Sequence, residues 1–211
     1  MLRPMSLALL ALSLAAPASA QLITDINGFP AAARGPGLHG TQWVTDLTLF
    51  NPMDHPVNLF VTFLPANQDN LGNENVSPVH LEPFETMFFD DVILNLFELD
   101  EDIMGMLTIA AGEPILNNPE GTVIHSSVRI YNTGSGDGTF GQTVPPLFMA
   151  MNVGWDSSFI TGARNDGAFR SNLGIGSGPN PGQQIHVFYT ISSSDGTVLA
   201  EGSKTLHTMS M

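Results

Sequence analysis

Short apolar runs, each closed by glycine or proline after about ten residues, constrain this chain more than any other feature. With 21 glycines and 15 prolines among 211 residues, long helices have nowhere to form, whereas antiparallel strands joined by tight turns fit the rhythm. "TQWVTDLTLF" (41–50) alternates so that Trp43, Thr45, Leu47 and Leu49 share one face. "NPMDHP" (51–56) reads as a turn and "VNLFVTFLP" (57–65) as the returning strand of a hairpin. After a polar loop (66–78), "VHLEP" (79–83) and "ETMFFDD" (85–91) form another strand–turn–strand. Strong strands are expected at 105–111 and 121–132. A loop is expected at 133–141 and an extended, proline-broken stretch at 142–151. The runs 183–193 and 196–206 are joined across Asp195-Gly196, a hairpin signal. One segment departs from the rhythm. Val92, Leu96 and Phe97 have helical spacing, which predicts one short helix near 92–99 with Asp90 or Asp91 at its cap.

Shifted by 126 residues, the chain echoes itself. "WVTDLTLFNP" (43–52) falls on "FRSNLGIGSG" (169–178), so that Asp46 meets Asn172, Leu47 meets Leu173 and Leu49 meets Ile175. Leu59 to Phe63 meets Ile185 to Tyr189 without a gap, which makes a degenerate repeat. The second copy offers only about three strands, too few to bury an independent core. Those strands are expected to complete a composite sandwich with the first unit, the alternative being a truncated product.

Four stretches carry a family resemblance: "GTQWVTDLTLFNP", "SSVRIYN", "GTFGQTVPP" and "AFRSNLGIGSG", in that order across residues 40–206. The chain resembles a group of secreted bacterial β-sandwich repeat proteins. Their modules carry Arg–small–Asn/Asp–Leu strand starts and a Gly-Thr-Phe-Gly-Gln loop. The resemblance implies an immunoglobulin-like sandwich and a surface location, and it implies no reaction. The first copy departs from the pattern, with Val44 where the second has Arg170.

The amino terminus reads as a secretory signal peptide. A basic start (Met1-Leu2-Arg3) precedes the apolar "MSLALLALSLAA" (5–16), and Pro17 then leads to the A-x-A site Ala18-Ser19-Ala20. The chain has no cysteine, which rules out lipoprotein acylation and any disulfide staple. The mature protein is therefore expected in the periplasm or outside the cell, with no membrane insertion after cleavage. Twenty acids face six Lys and Arg, for a net charge of −14. That balance excludes nucleic acid and anionic membrane as partners, since both require cationic patches. From Gly35 to Val128 there are fourteen acids and no lysine or arginine. This suits a solvated acidic face, a cation site or a basic partner.

Little of the sequence looks catalytic. The glycines of "FRSNLGIGSG" precede "PNPGQQIHVFY", a proline turn and a strand, so no helix N-terminus awaits a phosphate. The glycines instead permit close approach on one strand face, which suits an inter-sheet or inter-unit contact, the alternative being a shallow polar groove using Arg170 and Asn172. Arg129 shares a face with Ser127 and Tyr131. Because bases are scarce, Arg129 and Arg170 are each expected to pair with a carboxylate, with anionic ligand recognition as the alternative role. There is no G-x-S-x-G elbow, and the six histidines are widely spread. His125 and His186 lie in apolar strands, a structural placement. Calcium could use the loop 132–138 (Asn132, Asp137) or the acidic 98–102. Cu(I) could use His207, Met209 and Met211, which step by two and share one side of a strand.

The expectation is an all-β, immunoglobulin-like β-sandwich with one short helix and a degenerate internal repeat. Its parts are a signal peptide (1–20), a flexible N-terminal segment (21–35), a first β-sandwich unit (36–147) and a partial second repeat packing on it (148–211). The expected role is non-catalytic and cofactor-free: surface adhesion, scaffolding or ligand contact, with a glycan or protein as partner. The alternatives are a carbohydrate-binding or carbohydrate-active domain and a periplasmic calcium or copper protein.

Overall fold

Alternation decides which face of each strand is buried, and nearly every strand of this chain has one apolar face. The computed structural model describes residues 23–24, 26–37, 40–112, 122–134, 139–148, 160–164, 171, 174–176 and 184–206. In chain order the elements are β1 (Ile23–Thr24), β2 (Ile26–Pro36), β3 (Gln42–Phe50), β4 (Val57–Pro65), β5 (Asn75–Leu81) and β6 (Thr86–Phe89). They continue with helix α1 (Val92–Asn95), β7 (Ile103–Ala111), β8 (Ile124–Asn132), β9 (Phe140–Val144), β10 (Leu147–Phe148), β11 (Ile185–Ser192) and β12 (Val198–Leu206). The fold is an all-β sandwich with one short helix.

One sheet places β3 beside β8 along its whole length, with Trp43 opposite Asn132 and Phe50 opposite His125. The far edge of β3 carries β6 and the tail of β2, and the far edge of β8 carries β9 and β1. The other sheet runs β10–β2–β7–β4–β5. All these pairings are antiparallel. Strand β2 belongs to both sheets, so it closes one end of the sandwich. Inward residues from the two sheets meet in one core, in which Phe29, Leu47, Leu49, Leu59, Val61, Phe63, Leu107, Ile109, Ile124 and Val128 are all fully buried. Helix α1 caps this core with Val92 and Ile93, and the Phe97 ring that follows lies 5.8 Å from the Phe63 ring.

The structure corrects the expectation of a flexible segment at 21–35. Most of that segment is β2, with Phe29 and Ala32 buried. Its glycines and prolines conceal the strand in the sequence. Pro30 falls where the β2–β7 register shifts between Phe29 and Ala32, so its missing N–H interrupts no ladder bond. Gly35, at φ +131°, lets β2 turn from one sheet to the other with Asp102 pressed against it. The buried Thr45 hydroxyl sutures this crossing, accepting from the Ala33 N–H and donating to the Ala33 carbonyl, each at 2.8 Å. A second correction concerns 133–141, expected as a loop: its last two residues open β9, which pairs with β8 from Val128 to Asn132.

The hairpin at Asp195-Gly196 forms as expected, between β11 and β12. Among the described residues, β11 and β12 pair with each other and join neither sheet, so they complete no composite sandwich through strand pairing. Gly176 does approach the first unit, seated against the Met106 sulfur.

Candidate functional site

Because Thr45, Leu47 and Leu49 of β3 and Ile124, Ser126, Val128 and Ile130 of β8 point inward, their neighbours must point outward. Register then builds the outer face row by row. Phe50 lies opposite His125, Thr48 opposite Ser127, Asp46 opposite Arg129 and Val44 opposite Tyr131. Strand β6 adds Phe88 beside Thr48, and β9 adds Thr143 beside Arg129 and Gly141 beside Tyr131. Gly141 is required there, since a Cβ would collide with the Tyr131 side chain and the Ile130 carbonyl.

A polar network crosses this face. The Arg129 guanidinium sits over the Tyr131 ring, 4.6 Å from its centroid, and donates to the Thr139 hydroxyl at 2.9 Å. The Tyr131 hydroxyl donates to Asp46 at 3.1 Å. The same Asp46 oxygen accepts the backbone N–H of Asp91 at 3.1 Å, so this outward carboxylate is only 8% exposed. Asp91 stands at φ 41°, ψ 63° before α1, a conformation that asparagine and aspartate tolerate better than most residues. It occupies the cap position expected from the sequence, but its side chain makes no cap bond and approaches Arg34 instead, at 3.1 Å. Arg34 also reaches Asp100 at 2.9 Å.

Burial shapes the titration of both groups. Desolvation raises the Asp91 carboxyl above its ordinary 3.8, against the opposing pull of the Arg34 charge. Desolvation likewise raises the Tyr131 phenol above 10.0, aided by the Asp46 charge and hydrogen bond.

Arg129 therefore lies on the face expected for it, with Ser127 and Tyr131, but the expectation of a carboxylate partner is corrected. Among the described residues it makes no ion pair. The Tyr131 ring and Thr139 hold it instead, and Asp46 directly across the ladder is already engaged. Arg34, which no sequence motif singles out, takes two carboxylates. Arg170, Asn172, His207, Met209 and Met211 lie outside the described residues, as does Asp137 of the calcium loop. The Asn132 carboxamide oxygen accepts the N–H groups of Gln42 (2.7 Å) and Gly134 (2.9 Å), so it closes the strand ends. Among the described residues no three His, Asp or Glu side chains converge on a metal position.

Sequence reasoning misses Asp46 and Phe88 as members of this face. The alternation that buries Leu47 and Leu49 puts Asp46 and Thr48 outward, and this is the signal available for them. Phe88 is 59% exposed, an aromatic surface on the same row as Thr48 and Ser127. Phe84, at the turn before β6, is 62% exposed. Among the described residues, a cleft of about 300 Å³ adjoins this face at Thr143 and is lined also by Pro30, Ala31 and Gln142, and another of about 500 Å³ lies beside Phe60, Pro78 and His80. Among the described residues neither lining includes a carboxylate. The outer face can thus offer a fixed guanidinium, hydroxyls and an aromatic ring, a set suited to contact and recognition.

No family model and no curated protein matches this chain. Among solved structures, the crystal structure of Thermotoga maritima 1070 is similar at 12% identity over 59% of this chain and 94% of that one. Its TM-score is 0.43, a likeness too slight to bear on function.

Proposed function

We propose that this protein is an exported, non-catalytic β-sandwich module whose outer face contacts a surface glycan or protein. The observation that carries the reading is Arg129. In a chain of net charge −14, one exposed guanidinium is stacked on Tyr131 with no carboxylate partner among the described residues. A positioned cation of that kind loses little entropy on meeting an anionic or hydroxyl-rich ligand. The signal-like N-terminus supports export, and the acidic balance supports a partner other than nucleic acid.

Phe88 favours glycan contact as the second reading. Sugar faces stack on exposed rings, and the hydroxyls of Thr48 and Ser127 lie on the same row. A glycan array probed with residues 21–211 separates the readings. Binding that Arg129→Ala and Phe88→Ala each weaken at least tenfold supports glycan recognition on this face. An array blank above background removes the glycan reading. Adhesion then rests on binding to whole cells, and loss of that binding in Arg129→Ala is the expected outcome.

A further inference from the structure

The repeat places two strands in equivalent positions with opposite surroundings. In β4, one edge pairs with β5 and the other with β7, from Leu59–Ala111 to Pro65–Gly105. In β11, 126 residues on, one edge pairs with β12, and the other has no partner among the described residues. The faces differ in the same way. Leu59, Val61 and Phe63 are fully buried, while the equivalent Ile185 and Tyr189 are 41% and 39% exposed. Ile191, next on that face, is 51% exposed, and Phe188 on the reverse face is 80% exposed. The hairpin is nevertheless a formed unit: the Tyr189 ring lies across Gly202 of β12, and eight residue pairs hold the ladder.

The two edges of the hairpin are not alike. Strand β12 carries Glu201, Gly202 and Lys204, features that blunt an edge against pairing. Strand β11, "IHVFYTIS", has no acid, no lysine or arginine and no proline, and is rich in β-branched and aromatic residues. Soluble proteins rarely leave such an edge open.

We propose that the edge of β11 away from β12, unpaired among the described residues, is an interaction surface for a second copy of this chain, by antiparallel β11–β11 pairing about a two-fold axis. The argument for self-pairing is charge. Elsewhere the surface is strongly acidic, so two copies repel, whereas this strand brings no acid to the contact. An antiparallel pairing is also self-complementary by symmetry. The product is a four-stranded sheet, β12–β11 of one protomer followed by β11–β12 of its partner. Ile185, Val187, Tyr189 and Ile191 of both copies then form one continuous apolar face.

Sedimentation velocity on residues 21–211, at moderate salt to screen the acidic surface, tests the proposal. A concentration-dependent dimer is expected. Thr190→Lys adds an edge-blocking charge on β11 and is expected to weaken dimerisation at least tenfold. Ser203→Lys adds the same charge on β12 and is expected to leave it within about twofold. Circular dichroism verifies that both variants keep the strand content of the parent. A parent that stays monomeric across the concentration range overturns the proposal and leaves the edge to a different protein. A dimer that Ser203→Lys disrupts as much as Thr190→Lys also overturns it, because the hairpins would then meet face to face.

Discussion

The Tyr131 hydroxyl donates to the Asp46 carboxylate at 3.1 Å across the β3–β8 ladder, diagonally past Arg129, the residue directly opposite Asp46. This bond ties the stacked guanidinium to the turn before α1, because the same carboxylate oxygen holds the Asp91 N–H.

Removing that bond is expected to be felt in stability and in titration. Tyr131→Phe should cost about 1.5–3 kcal/mol, the range for a hydrogen bond to a charged acceptor, read by urea denaturation at neutral pH. In the parent, the Tyr131 phenol ionises above its usual 10.0. A proton held more tightly in the folded state gives stability that is complete below pH about 10 and is lost as pH rises through the folded pKa. Asp46→Asn should lower the Tyr131 midpoint in an ultraviolet titration; an unchanged midpoint refutes the coupling.

Asp91 gives the complementary case at low pH. Its folded pKa is raised from 3.8, so its contribution is full below about pH 3.8 and declines as pH rises through the raised value. Asp91→Asn, which keeps the left-handed backbone accessible, should therefore gain stability relative to the parent between about pH 3 and neutrality. Arg34 keeps Asp100 as a partner in the variant. Melting curves at several pH values check the sign, and a difference constant with pH speaks against the raised pKa.

Two buried asparagines should respond oppositely to apolar replacement. Asn51 is fully buried, and its amide donates to the carbonyls of His55 and Glu82, each at 2.9 Å, while its oxygen accepts the Met53 N–H at 2.9 Å. Asn51→Leu strands these groups and should cost about 2–4 kcal/mol. Asn27 is equally buried, yet among the described residues neither its amide nitrogen nor its oxygen has a hydrogen-bond partner. Asn27→Leu should be neutral or stabilising by about 1 kcal/mol. Guanidinium denaturation of the pair decides the matter.

Two strands of like local pattern, β4 and β11, make a matched comparison of core and surface. Leu59→Ala removes a fully buried side chain and should cost about 2–5 kcal/mol. Ile185→Ala, its equivalent 126 residues later, is expected to change stability by about 0.5 kcal/mol or less. Similar losses at both positions would mean that β11 is covered in solution.

Period-two alternation makes β3, β4 and β8 legible in the residues alone, since burial on one face requires it. The same rule hides β2. Its Gly and Pro residues belong to a register shift and a sheet crossing, which are properties of neighbouring strands. It also hides the start of β9, where Phe140 and Gly141 read as loop until β8 supplies the ladder beside them. Arg129 is legible as an outward residue, but scarcity of bases does not assign it an acidic partner. Tyr131, two residues away on the same face, supplies the ring, and Asp46 is taken by Tyr131 and the turn at Asp91.

The sequence by itself determined that the chain forms antiparallel strands and which side chains share a face, because both are local consequences of alternation and turn residues. Only the tertiary structure decided which of those faces is covered. Leu59-x-Val61-x-Phe63 and Ile185-x-Val187-x-Tyr189 carry the same local pattern. The first is core because β7 lies beside it and a second sheet lies across from it. The second is half-exposed among the described residues, because burial depends on what the rest of the chain brings near.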